Sequence, residues 1–163
     1  MKVILTNKTK YILPSAKILQ KIAKNVLKNE KQPTKKIAVG VYYVEADEIH
    51  SINKEYRNKD KETDVITFRL IDNPENLPIN KVSFPCDFDD ALGAIYIGEI
   101  FICVEVAEAQ ATEWGHSLSR EVGELFVHGM LHVLGHDHEL ENERNIMKER
   151  ECAQAKLLDK LIK

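Results

Sequence analysis

No apolar run in this 163-residue chain approaches the roughly 20 residues that a membrane-crossing helix needs. The opening residues, Met1-Lys2-Val3-Ile4-Leu5-Thr6-Asn7-Lys8, hold too short an apolar core for a secretory signal. A cytoplasmic protein without membrane association is the expectation. Cysteine is scarce: Cys86, Cys103 and Cys152 are odd in number, widely spaced and form no C-x-x-C pair. That excludes a disulfide framework and fits a reducing compartment. Internal repeats and low-complexity segments are also missing, and no strong net charge marks the chain as a nucleic-acid binder. Its 23 basic and 26 acidic groups leave −3.

The distribution of that charge is more telling than its sum. Residues 1–36 hold ten lysines and one acid, Glu30, a local +9, while the remainder carries −12. Such an asymmetry can steer a polyanion to one side of a molecule, or it can be a lysine-dressed solvated helix face. Apolar residues at 44% and charged residues at 30% are ordinary for a globular protein. The length suits one domain, residues 1–163, with a single core.

Periodicity sets the expected elements. Residues 2–6 are β-like; Pro14-Ser15 then opens a helix, with Ser15 at its N-cap. In that helix Ile18, Leu19, Ile22, Ala23, Val26 and Leu27 form the apolar face, and Lys17, Lys21, Lys24 and Lys28 the outer one. Ile37–Val44 reads as a central strand, Glu45–Asn58 as a helix and Thr63–Leu70 as a strand. Residues 71–92, with Pro74, Pro78 and Pro85, read as a long surface excursion. Gly93–Val104 is a strand apolar on both faces, with Ile95, Ile97, Phe101 and Cys103 on one side and Tyr96, Ile100, Ile102 and Val104 on the other. Glu99 is its only charge. Glu105–Trp114 is a helix stopped at Gly115. A longer helix, capped by Ser117 or Ser119, runs to about Leu134, and a last one covers roughly 141–162. The expected fold is α+β: a small mixed four-stranded sheet packed with about five helices.

Four of the six histidines fall within residues 127–138. His128 and His132, four apart on a helix, share one face. Gly135 provides a stop, after which the chain can return His138 towards them. This H-x-x-x-H-x-x-G-x-x-H pattern gathers three imidazoles around one metal ion at the C-terminal end of the central helix. Three protein ligands and no nearby cysteine suit a catalytic zinc rather than a structural one. The spacing equals that of the metzincin proteases, but their general base is a Glu directly after the first His, and here that position is Gly129. A peptidase of that type is therefore disfavoured. Asp137 is either an orienting partner of a ligand histidine or a turn residue. His136 lies off the ligand spacing, and His50 and His116 read as ordinary residues.

The stretch from His128 to His138 resembles the H-G-x-L-H-L-x-G-x-D-H signature of the YbeY family of bacterial rRNA-maturation endoribonucleases. Ile52-Asn53-Lys54-Glu55-Tyr56-Arg57 with Thr63-Asp64-Val65-Ile66-Thr67-Phe68, and Gly98-Glu99-Ile100-Phe101-Ile102, resemble two further family blocks. The chain departs from the pattern at His136 (usually tyrosine), Thr67 (serine), Glu99 (aspartate) and the 71–92 insertion. The resemblance implies a single-strand-specific, metal-dependent endoribonuclease. Its partners would be ribosomal RNA and the ribosome or small-subunit proteins, in 3′-end maturation and quality control. It also implies one zinc or other divalent ion on His128, His132 and His138, with Arg57 in the cleft. A guanidinium suits that place because it grips phosphate oxygens bidentately and offsets charge developing on phosphorus. Two other readings stand beside this one: a zinc peptidase or amidase, and a metal-stabilised ribosome-binding module without catalysis.

Overall fold

The computed structural model describes residues 1–72, 78–138 and 140–162. The chain runs β1 (Lys2–Asn7), α1 (Ala16–Asn29), β2 (Ile37–Val44), α2 (Ala46–Arg57), β3 (Val65–Arg69) and β4 (Phe88–Asp89). It continues through β5 (Ala94–Cys103), α3 (Val104–Trp114), α4 (Leu118–Val133), α5 (Glu141–Cys152) and α6 (Ala155–Leu161). The main path of the sheet is β1-β2-β5-β3, with β4 also paired to β5. The β1–β2 and β2–β5 pairs are parallel, and β3 and β4 are antiparallel to β5. Parallel neighbours need a crossover, and α1 supplies it between β1 and β2.

Burial on both sides of β2 follows from its nearly unbroken apolar run. Ile37, Val39, Val41 and Tyr43 join the main core with Leu19, Ile22 and Val26 of α1 and Val122, Phe126, Met130 and Val133 of α4. On the opposite face Val44, with Ile49 of α2, Ile66 and Cys103, forms a smaller cluster flanked by Tyr42, Phe68 and Phe101. The α+β class and the mixed sheet are as expected.

Three details differ from expectation, each for a local reason. The sheet has five strands rather than four, because β4 is only two residues long and too short to carry a period. The described residues form six helices rather than five, since the expected 141–162 helix breaks at Ala153–Gln154 into α5 and α6. Strand β5 does not alternate uniformly. Ala38 pairs with Tyr96 but Gly40 with Glu99, so β5 holds one extra residue at a bulge. The slip puts Ile95 and Ile97 on the same side as Ile100 and Ile102. Within the 71–92 excursion Ile71, Ile79 and Phe84 are buried, so it is anchored to the core. Its residues 73–77, Pro74 among them, lie outside the described residues.

Candidate active site

Helix α4 starts at Ser117, whose side chain accepts from the Arg120 N–H at 3.2 Å. It ends at Leu134, and Gly135 then takes φ 95°, a left-handed conformation open to glycine at little cost. The turn that follows brings His138 back over the last helical turn. The imidazoles of His128, His132 and His138 present nitrogens within 4.8 Å of one another. His128 Nε2 and His132 Nε2 are 3.1 Å apart. Ring centroids of His138 lie 5.5 Å from His128 and 5.1 Å from His132.

The other nitrogens of the helical pair are tied down. His128 Nδ1 meets Glu151 Oε1 of α5 at 2.7 Å, and His132 Nδ1 meets the His136 carbonyl at 2.9 Å. A carboxylate and a carbonyl only accept, so each Nδ1 donates to its partner and each Nε2 is the nitrogen turned to the shared site. At 3.1 Å the two Nε2 atoms are close enough to share either a proton or a metal ion. A tetrahedral zinc with bonds of about 2.0–2.1 Å separates its nitrogens by about 3.3 Å, close to the spacing here. Burial, then the neighbouring His128 and His138, lowers the His132 pKa to about 4, so its ring is neutral at pH 7. The donor set therefore fits a divalent ion of the zinc type.

Arg57 comes to the cleft of His132 from the helix on the other side of the sheet. It ends α2, and Asn58 stops that helix in the left-handed conformation. Its guanidinium passes edge strand β3, where Nη2 donates to the Thr67 carbonyl at 3.4 Å. A cavity of about 210 Å³ is lined by Arg57, Thr67, Arg69, His132, Gly135, His136 and Asp137. The structure thus brings Arg57 and His132 to one cleft, which His128 and His138 do not line.

Other candidates land differently. Asp137 does not orient a ligand ring: its Oδ1 accepts the His138 backbone N–H at 2.7 Å, a turn bond, while the residue stays on the cleft wall. His136 turns away to Glu30, 2.7 Å from its Nε2. Glu99 pairs in register with Phe68, on the sheet face opposite α4. Its Oε1 accepts from the Tyr42 and Tyr96 hydroxyls, each at 3.2 Å, so it is engaged away from the cleft. Gly129 packs against the sheet, where a Cβ would stand 2.7 Å from Ile100 Cγ2 and 3.2 Å from Thr67 Oγ1. A glutamate base has no room there.

Two residues of this site escaped sequence reasoning. Glu151 lies 23 positions beyond His128 in a helix whose pattern reads simply as polar. Arg69 puts a second guanidinium-bearing residue on the cleft wall, and only the strand it ends hints at its direction. A second group of potential metal donors, His116, Glu121 and Glu124, sits at the start of α4. Those groups serve one another: Arg120 Nε meets Glu124 at 2.6 Å, His116 meets Glu121 at 3.1 Å, and both acids complement the positive helix end.

The family model described as Endoribonuclease YbeY matches residues 4–161. The chain belongs to the YbeY family. Among its YbeY relatives, the Endoribonuclease YbeY of Caldanaerobacter subterraneus subsp. tengcongensis is 41% identical over 123 residues, covering 75% of this chain and 74% of that protein. The Endoribonuclease YbeY of Heliobacterium modesticaldum is 39% identical over 131 residues, covering 80% and 75%. The solution structure of TM1509 from Thermotoga maritima superposes with a TM-score of 0.59 at 24% identity, over 96% of this chain and 88% of that one. That likeness demonstrates the shared fold.

Proposed function

We propose that this protein is a metal-dependent endoribonuclease acting on single-stranded RNA, with His128, His132 and His138 holding one zinc or other divalent ion. Its place of action would be the cytoplasm, in small-subunit rRNA 3′-end maturation and ribosome quality control. The observation that carries the reading is the meeting of three imidazoles, one of which, His132, shares a cleft with Arg57, in a chain whose curated relatives are named endoribonucleases.

The bound ion would supply Lewis-acid polarisation of a phosphoryl oxygen and acidify water nearby. The chain's residues do the rest. Glu151 and the His136 carbonyl fix the rings of His128 and His132, so their Nε2 atoms present lone pairs in one fixed geometry. Arg57, braced on Thr67, receives the scissile phosphate bidentately and offsets the extra negative charge as phosphorus gains a fifth ligand. Arg69, on the same wall, holds the neighbouring phosphate. No carboxylate stands in the metzincin base position, and Glu99 is held by two tyrosines on the other sheet face, which leaves general-base work to groups of the cleft itself.

The test is cleavage of a defined single-stranded RNA by the zinc-loaded protein and by His132→Ala. We expect the variant to fold, to lose stoichiometric metal and to drop at least about 100-fold in turnover, the scale of losing an electrostatic catalyst. Full metal-dependent turnover in the variant would reject the assignment. The 3′ ends of the products report whether water or the RNA 2′-hydroxyl attacks.

A further inference from the structure

The ten-lysine N-terminal segment is not absorbed by the site, and the fold arranges four of its lysines along one helix face. Lys17, Lys21, Lys24 and Lys28 of α1 follow steps of four, three and four, which places them within an arc of about 60° and along about 16 Å of helix. Lys31, Lys35 and Lys36 follow in the loop after α1. All seven are exposed, and among the described residues none of their ammonium groups makes an ion pair, a hydrogen bond or a ring contact. The segment's one acid does not neutralise them. Glu30 turns inward, with a side chain only 9% exposed, to His136 and Arg150.

The row also leads somewhere. Where α1 ends, a cavity of about 330 Å³ is lined by Asn29, Glu30, Lys31, Gln32, Leu134, His136 and Arg150. His136 also lines the cleft of Arg57 and His132, so one side chain forms the partition between the end of the lysine row and the site.

We infer that the exposed face of α1 is a track for the sugar–phosphate backbone of a single-stranded RNA, delivering it past Lys31 and His136 to the cleft; this rests on the nuclease reading above. Lysine is a flexible point charge that neutralises phosphates without reading bases, which suits a track serving varied sequence. The apolar face of α1 decides against a lipid surface. A helix that binds in a membrane interface inserts its apolar side, whereas Leu19, Ile22, Ala23, Val26 and Leu27 are fully buried in this core. With −12 on the remaining residues, a polyanion is repelled elsewhere and drawn to this helix.

The experiment replaces Lys17, Lys21, Lys24 and Lys28 together by Gln and compares two single-stranded RNAs, of about 20 and about five nucleotides. The short one occupies the cleft only. For the long RNA we expect KM to rise about tenfold or more with kcat unchanged, and for the short RNA kcat/KM to stay within about twofold. The slope of log binding constant against log salt should fall by about 0.7 for each lysine that engages a phosphate. An unchanged KM and salt slope for the long RNA overturns the track. If the unsubstituted protein cleaves neither RNA the nuclease reading fails, yet the salt slope of long-RNA binding still decides the track. The four positions are solvent-exposed on a helix and glutamine is a good helix former, so the variant should keep its melting temperature.

Discussion

Glu151 does for His128 what no residue of the histidine motif does. A ligand imidazole needs its non-ligating nitrogen fixed, because ring rotation about χ2 would otherwise sweep the lone pair out of the site. His132 obtains that restraint from a backbone carbonyl three residues beyond its helix. His128 obtains it from a carboxylate on another helix. Replacing Glu151 by Gln keeps the shape but substitutes a neutral amide for the charge that makes the ring more basic. Metal affinity should fall about 10- to 100-fold, with turnover recovering at saturating metal. Calorimetric titration with zinc checks this, and an unaltered affinity would mean that the contact is incidental.

At the scale of elements, Glu30 is a junction of three. It follows α1, accepts from His136 in the turn after α4, and pairs with Arg150 of α5. Burial would raise the pKa of this carboxyl, but the hydrogen bonds from His136 and Arg150 and their charges outweigh it and leave the pKa below the ordinary glutamate value of 4.5. The folded state thus holds the ionised form more tightly than the unfolded chain does. The contribution is complete above about pH 4.5 and disappears as pH falls through the lower native value. Glu30→Gln should destabilise the protein by about 1–3 kcal/mol near neutrality and flatten the acid limb of the stability curve. Urea melts of both proteins from neutral to acid pH give the comparison; parallel curves would dismiss the junction.

The same scale explains how far the sequence carried. Long periodic elements were readable: α1, β2, α2, α3 and α4 lie within one or two residues of their expected bounds, because each buries a continuous face. The histidine spacing announced its own geometry, since a helix and one glycine turn suffice to build it. What escaped depended on pairing. The β5 bulge exists only against β2, and it matters because Gly40 leaves the space that the Tyr96 hydroxyl occupies on its way to Glu99. Glu99 stood out as a charge in an apolar strand, but only the register reveals that it faces away from the histidines. The break at Ala153–Gln154 came from long-range contacts as well, with Asn25 of α1 bonding Gln154 at 2.7 Å.

For the whole molecule, the candidate metal site is a clasp between distant parts of the chain. His128 and His132 belong to α4, His138 to the turn after it, Glu151 to α5, and the His136 carbonyl is held in place through Glu30 next to α1. A ligand that binds only the folded arrangement stabilises all of it by mass action, by about 2.7 kcal/mol at 100 times its dissociation constant. For a domain of this size each kcal/mol moves the melting point about 2–4 °C, so saturation with zinc should raise it roughly 5–10 °C over chelator-treated protein. The three free cysteines and the histidines of the unfolded chain also bind zinc, which trims the gain. His138→Ala separates the two effects, because it removes one native ligand and leaves nearly all unfolded-state binding intact. Its melting point should respond little to zinc or turn downward. An equal upward shift in the variant would mean that zinc stabilises the fold from somewhere other than these three histidines.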